Sequence, residues 1–435
     1  MLKTLGISLL GFFFVFQSHA IISASSRIDI EGPINSVLAD FVVQAMDKAE
    51  EAHEPFVVLR LNTPGGFDQA MRKIIEKMLS SRIPVVVYVG PSGSRAASAG
   101  FFILLASDMA CMAPGTNTGA AHPILAIGGV YPMDGNGGAK TLIEKALNDS
   151  VAYLKGIAEK RGRDVELSIK GITESKSFTA EEALKSKLID LIAQDEDDLI
   201  RQLKGKNIKL FSGQEVQLPE DISPLSPVEM TVRQKILLAV SDPNLALLLG
   251  LAGLILLYFE FSNPGMIAPG VLGALSLLLS LIGFSLLPIN FVGVLLILLA
   301  LGLFIAEIKI QGFGILGIGG MVSLLFGALI LVDAPQPELR ITISTALAVV
   351  IPFGLILMFL LRLTMKSMAQ KVTTGDEAMM GLTGVTSTPV HQDGKVHVRG
   401  EYWEASSDHL IPEGKTIRVL KVDHLKLIVE ELKNS

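Results

Sequence analysis

Apolar residues fall along this chain in two patterns. Between residues 27 and 204, short apolar runs alternate with stretches whose apolar positions recur every three or four residues. The runs predict strands over 27–30, 56–61, 85–89 and 108–112, and the periodic stretches predict helices over 36–49, 68–80 and 97–107. The second and third runs are continuous rather than alternating, as in strands buried on both sides of a parallel sheet. A long helix over 140–161 and a shorter one over 179–187 follow, the latter entered through a Thr-Ala-Glu-Glu capping arrangement. The first part of the chain is therefore an α/β domain.

Residues 205–225 are polar and proline-bearing and read as a linker. Ser226-Pro-Val-Glu229 predicts a capping box, opening a helix to about 240 that is amphipathic enough to lie along a lipid surface. Beyond it the second pattern begins. Five apolar segments, 245–262, 268–287, 291–306, 313–332 and 343–362, approach the ~20 residues that cross a bilayer. The third is short enough to be re-entrant. Arg362, Lys366 and Lys371 follow the last segment while Asp333 and Glu338 occupy the opposite loop, which puts the C-terminal end in the cytoplasm and the α/β domain outside it. Glu260 and Glu307 close their segments and read as carboxylates solvated at the interface. From 381 to 432, short alternating runs separated by turn residues fit a five-stranded barrel of OB type with Trp403 as its plug.

Composition adds a little. Residues 1–20 carry Lys3, an apolar core and a Ser18-His19-Ala20 ending, the form of a secretory leader. The expected divisions are thus a leader over 1–20, the α/β domain over 21–204, a linker and interfacial helix over 205–244, a membrane block over 245–362, and a linker and barrel over 363–435. A net charge of −6 with no long basic run argues against a nucleic-acid partner, and the barrel lacks a basic groove with several aromatics. Cys111 is the single cysteine, so no intrachain disulfide can form, and it reads as a small buried apolar residue.

The chemistry gathers where Val85 to Gly100 runs from a buried strand through small residues into a helix. Ser98 stands at that helix entrance, where the dipole and free amides favour a developing oxyanion. An upstream strand ends in Thr63-Pro64-Gly65-Gly66. A serine nucleophile needs a base. Lys155 sits on the 140–161 helix among Val151, Ala152 and Ala158, where an amine can be kept dry; Lys145 and Lys160 have charged or polar neighbours and read as solvated. His122, in Gly-Ala-Ala-His-Pro, is the rival base. A non-catalytic scaffold built on the membrane block and barrel is the competing reading.

TPGG at 63–66, SRAASAG at 94–100, APGTNTGAAHP at 113–123, AYLKGIAEKRGRD at 152–164 and FTAEEALKSKLID at 178–190 resemble the ClpP-class membrane proteases called NfeD proteins. The run GLTGV…GKVHVRGEYWEA…IPEGKTIRVLKVD resembles their OB domain. The resemblance implies a ClpP/crotonase-like spiral fold and a Ser-Lys endopeptidase, with Ser98 as nucleophile, Lys155 as base, and the Gly66 and Ala99 amides as oxyanion hole. It implies no cofactor and no metal, a stomatin-like (SPFH) membrane partner or substrate, an assembly of at least two copies, and residence in the cell membrane. The chain departs from it in a glycine-rich stretch from Ile124 to Leu147. The place of a triad acid holds Ser175, with Glu174 beside it.

Overall fold

The computed structural model describes residues 25–123, 137–263, 265–310, 314–334, 337–368 and 376–432. The expected leader lies outside these residues, as does the first half of the glycine-rich stretch.

The first domain is built on β1 (Ser26–Glu31), α1 (Ser36–Glu51), β2 (Val57–Asn62), α2 (Asp68–Leu79), β3 (Val85–Val89), β4 (Arg95–Ala97), α3 (Ala99–Ala106), β5 (Met109–Met112) and β6 (Asn117–Gly119). It continues through α4 (Gly137–Arg161), α5 (Val165–Thr173), β7 (Ser177–Thr179), α6 (Ala180–Lys185), β8 (Leu191–Ile192) and α7 (Glu196–Leu203). Strands β1, β2, β3, β5 and β8 lie side by side in that order, all parallel. A second sheet joins β4, β6 and β7. Helices returning each strand to the same sheet edge, with a small sheet set beside the large one, make the ClpP-like spiral. The continuous apolar runs are explained by burial on both sides. Val57, Leu59, Val85 and Val87 enter the core under α1 to α3, whereas Val58, Val86, Tyr88 and Cys111 enter a second core that includes Leu199 and Leu203 of α7. Cys111 is fully buried, which pushes its thiol well above its ordinary range.

The stretch read as a linker is folded. β9 (Asn207–Lys209) and β10 (Glu215–Gln217) form a hairpin, and Leu218 and Ile222 fill the second core. The capping box expected at Ser226 is absent, because Ser226–Pro227 is β11, paired in parallel with β1. The cap falls five residues later, where Thr231 and Gln234 exchange hydrogen bonds at the start of α8 (Val232–Val240). The Thr179–Glu182 box is present as predicted.

Five helices follow: α9 (Pro243–Ser262), α10 (Ala268–Ser285), α11 (Phe291–Ile310), α12 (Ile315–Ile330) and α13 (Ile343–Met368). The segment expected to be shortest, α11, is a full 20-residue helix, about 30 Å long at 1.5 Å per residue. α9 pairs with α10 and α11 with α12, the first pair meeting at Gly253 and Gly273, where a Cβ on either would strike the other's carbonyl. Glu307 is not solvated at an interface. It is buried, and its carboxylate accepts the N–H groups of Gly314 (2.8 Å) and Gly317 (3.0 Å). The turn back into α12 brings that helix's orphan amides onto the carboxylate, which answers both.

The C-terminal unit is a closed barrel of β12 (Thr383–Thr386), β13 (Gly394–Val398), β14 (Glu401–Ser406), β15 (Thr416–Asp423) and β16 (Lys426–Glu431), ordered β12-β13-β14-β16-β15. Only β14 and β16 pair in parallel, the strand order of an OB fold. Val396, Val398, Ile417, Val419, Leu427 and Val429 fill it, and Trp403 packs half-buried against them.

Candidate active site

The glycine turn is shaped by its own side chains and by α1's approach. Thr63 Oγ1 accepts the Gly65 N–H at 3.0 Å and donates to the Gly65 carbonyl at 3.0 Å. Gly65 takes φ +119°, a region that strains residues with a Cβ. Ile34 bridges to Gly66 in parallel: its N–H reaches the Gly65 carbonyl at 2.8 Å and its carbonyl accepts the Phe67 N–H at 2.9 Å. These bonds use the Gly65 carbonyl and the Phe67 N–H, and Gly66 between them lines the cavity. A Cβ on Gly66 would lie 2.1 Å from the Ile34 carbonyl oxygen.

The same turn positions the nucleophile strand. Thr63 N–H donates to the Arg95 carbonyl (2.7 Å), and Ala97 N–H to the Thr63 carbonyl (3.1 Å). The Ser98 N–H is held by the Gly119 carbonyl (2.9 Å), which fixes Ser98 at φ 54°, ψ −115°. A serine there is strained, and such strain gathers at functional sites. α3 begins immediately after, with all eight residues buried, so the support is rigid. Ala99 is its first residue, one whose N–H has no acceptor inside the helix.

Gly66, Ser98 and Ala99 share one cavity of about 420 Å³ with Met71, Arg72, Phe102, His122, Ala146, Asp149, Ser150 and Glu338. His122 Nδ1–H donates to the Ile172 carbonyl at 3.0 Å, leaving Nε2 as the acceptor nitrogen. Glu174 does not orient it; it is exposed at the end of α5. α4 roofs the cavity and is pinned at its middle and at its C-terminal end. Tyr153 stacks on Phe102 at 6.4 Å, and the Arg72 guanidinium lies 4.4 Å over the Tyr153 ring while pairing with Asp68 (2.8 Å) and Asp149. At the far end Arg161 is buried against Asp108 and donates to the Ala106 carbonyl at 2.9 Å. Burial pushes the Asp108 carboxyl up, and Arg161 opposes that shift.

The structure does not bring Lys155 to this cavity. It is 53% exposed, its Nζ is 3.8 Å from Glu159, and it lies nine residues from Ala146, which at about 100° per residue is the opposite face of α4. Lys145 is also exposed and is not among the lining residues, but it is one turn before Asp149, which lines the cavity. Its spacing to Asp149 was readable, but a polar neighbourhood had marked it as solvated. The sequence reading also missed Arg72, which sits one turn after Asp68 on α2, and Glu338, which reaches the cavity from the membrane block.

A strained serine at a buried helix entrance, beside a glycine turn in a ClpP-like spiral and joined to a block of apolar helices, defines a membrane-bound serine protease. Three family models cover the chain: NfeD1b, N-terminal domain, over 25–206; NfeD integral membrane domain over 244–363; and NfeD-like C-terminal, partner-binding domain, over 376–431. The membrane-bound protease PH1510 of Pyrococcus horikoshii is 33% identical over 415 residues, covering 92% of this chain and 91% of that protein. Membrane protein NfeD1b of Bacillus subtilis is 26% identical over 442 residues, covering 93% and 92%. Among solved structures, the 1510-N membrane-bound stomatin-specific protease, as a lysine-to-alanine mutant in complex with a substrate peptide, is 30% identical. That match covers 51% of this chain and 99% of that one, at TM-score 0.46. The chain belongs to the NfeD family, and it is a membrane protein.

Proposed function

We propose that this protein is an endopeptidase that cuts apolar segments of a stomatin-like membrane protein from outside the cytoplasm. The observation that carries the reading is Ser98, held at φ 54° in one cavity with Gly66 and Ala99. Ser98 Oγ attacks the scissile carbonyl, and the Gly66 and Ala99 amides receive the oxyanion. The Oγ proton passes to a base and then to the departing amine; water repeats the sequence on the acyl-enzyme. We assign the base to a lysine amine on α4. Lys145 takes the role first given to Lys155, because its turn of the helix borders the cavity. The apolar part of the lining, Met71 and Phe102, suits an apolar peptide. The stomatin-like substrate is the class the family resemblance implies, and the partner-binding domain model at 376–431 accords with it. The test is cleavage of apolar peptides by the detergent-solubilised chain, which the reading expects to vanish in Ser98→Ala.

A second reading gives the base role to His122, since its Nδ1–H is already held by a carbonyl and its ring lines the cavity. Separate His122→Ala and Lys145→Ala variants distinguish the two.

A further inference from the structure

The cavity around Ser98 is not closed by the protease domain alone. Phe67, which follows Gly66, packs against a cluster that includes Leu331, Leu339 and Ile341 at one end of the membrane helices. From the same stretch, Glu338 lines the cavity. Its backbone is fixed on the C-terminal side. Leu339 and Ile341 are buried, the Arg340 carbonyl accepts from the Asn244 side chain (3.3 Å), and Asn244 Oδ1 accepts the Thr342 N–H (2.8 Å). The Glu338 carboxylate meets Arg95 Nη2 at 3.5 Å, with both side chains about half exposed.

These facts are unequal in their consequences. An ion pair this long and this exposed is weak and easily exchanged. Arg95 is at the end of a long flexible stem, whereas Glu338 has a short side chain on an anchored turn. The group that stays at the cleft when the pair opens is therefore the carboxylate. Among the described residues, the other arginine lining the cavity, Arg72, is already engaged by Asp68 and Asp149.

We infer that Glu338 is a specificity-determining residue, supplied to the protease cleft by the membrane block, which selects a basic side chain flanking the apolar stretch of the substrate. The substrate cation takes the place of Arg95. The geometry suits the ligand: a carboxylate at the cleft is complementary to a cation, and Glu338 stands beside the apolar side chains of Leu339 and Ile341 at the end of the membrane helices, so an apolar stretch and its basic flank both find a complement there. The inference rests on the proteolytic reading above.

The experiment compares peptides that share one apolar core and carry Lys, Gln or Glu at the flank, cleaved by the full chain in detergent. Wild type should prefer the Lys peptide to the Gln peptide by about two- to fivefold, read in KM, and high salt should shrink the preference. Glu338→Gln should bring the ratio to about one, Glu338→Lys should favour the Glu peptide, and Arg95→Ala should increase the preference for Lys. No charge preference in wild type, or one that Glu338→Gln leaves intact, overturns the assignment of Glu338 while Ser98-dependent cleavage stands. Cleavage that persists in Ser98→Ala, or no cleavage of any peptide, overturns the proteolytic reading itself and this inference with it.

Discussion

Gly66→Ala puts the proposed oxyanion site under the most direct stress. The added Cβ would sit 2.1 Å from the Ile34 carbonyl oxygen and 2.6 Å from the Ile34 nitrogen, where ordinary contact begins near 3.4 Å. Neither neighbour is a flexible tip, since both belong to the backbone bridge that holds the turn. Relief requires the turn to retreat by about an ångström, and a misplacement of that size costs roughly 100-fold in rate. Loss of one oxyanion donor is worth about 100- to 1,000-fold in kcat. Both estimates converge on a fall of at least 100-fold in kcat, with KM much less affected. The assay is steady-state cleavage of a fluorogenic apolar peptide by the solubilised chain, with thermal unfolding measured in parallel. Gly32→Ala is the control: it sits at φ +80° with open space where its Cβ would go, so it strains the backbone without touching the turn. A folded Gly66→Ala protein with kcat within about threefold of wild type would refute the placing of the Gly66 amide in the oxyanion hole.

Other consequences are as direct. Lys145→Ala should reduce kcat by at least 100-fold and Lys155→Ala by less than threefold, measured on the same peptide; the reverse order would restore the base to Lys155. Burial raises the Tyr88 phenol to about 12, with its hydroxyl 3.3 Å from the Ala193 carbonyl. The folded value lies above the unfolded one of ~10, so this stability is complete below pH 10 and is lost as pH rises through 12, by about 2–3 kcal/mol. Denaturant titrations from pH 8 to 11.5 should show that slope in wild type and lose it in Tyr88→Phe. Glu307→Ala deprives two α12 amides of their acceptor and should destabilise the solubilised protein by about 2–4 kcal/mol. An unchanged unfolding midpoint would mean that those bonds contribute nothing.

The residues that were easy to place owe this to local causes. Val85 to Val89 is apolar at every position because both faces of β3 are covered, and no helix of that length follows from such a run. Ser98 stood out because small residues between a buried strand and a helix permit a tight, strained entrance. What escaped was decided by distant contacts. Apolar neighbours on α4 show that the helix has a buried face but not which side looks at Ser98; that is set by Tyr153 on Phe102 and by Arg161 on Asp108, 53 residues apart in sequence. The strand at Ser226–Pro227 is two exposed residues long and exists only because β1 offers an edge. Glu307 looks like any helix-end carboxylate until the chain turns back on it. Glu338 reaches the cavity through packing between the protease domain and membrane helices, which no local pattern encodes.

In the proposed reaction one serine, placed at the start of α3, does the chemistry. Incubating the solubilised full chain with a serine-directed phosphonylating probe, then mapping the modified peptide by mass spectrometry, tests it most directly. A single adduct on Ser98 is expected, absent in Ser98→Ala and slowed at least tenfold in Lys145→Ala. Labelling elsewhere, or labelling undiminished in Ser98→Ala, would contradict it.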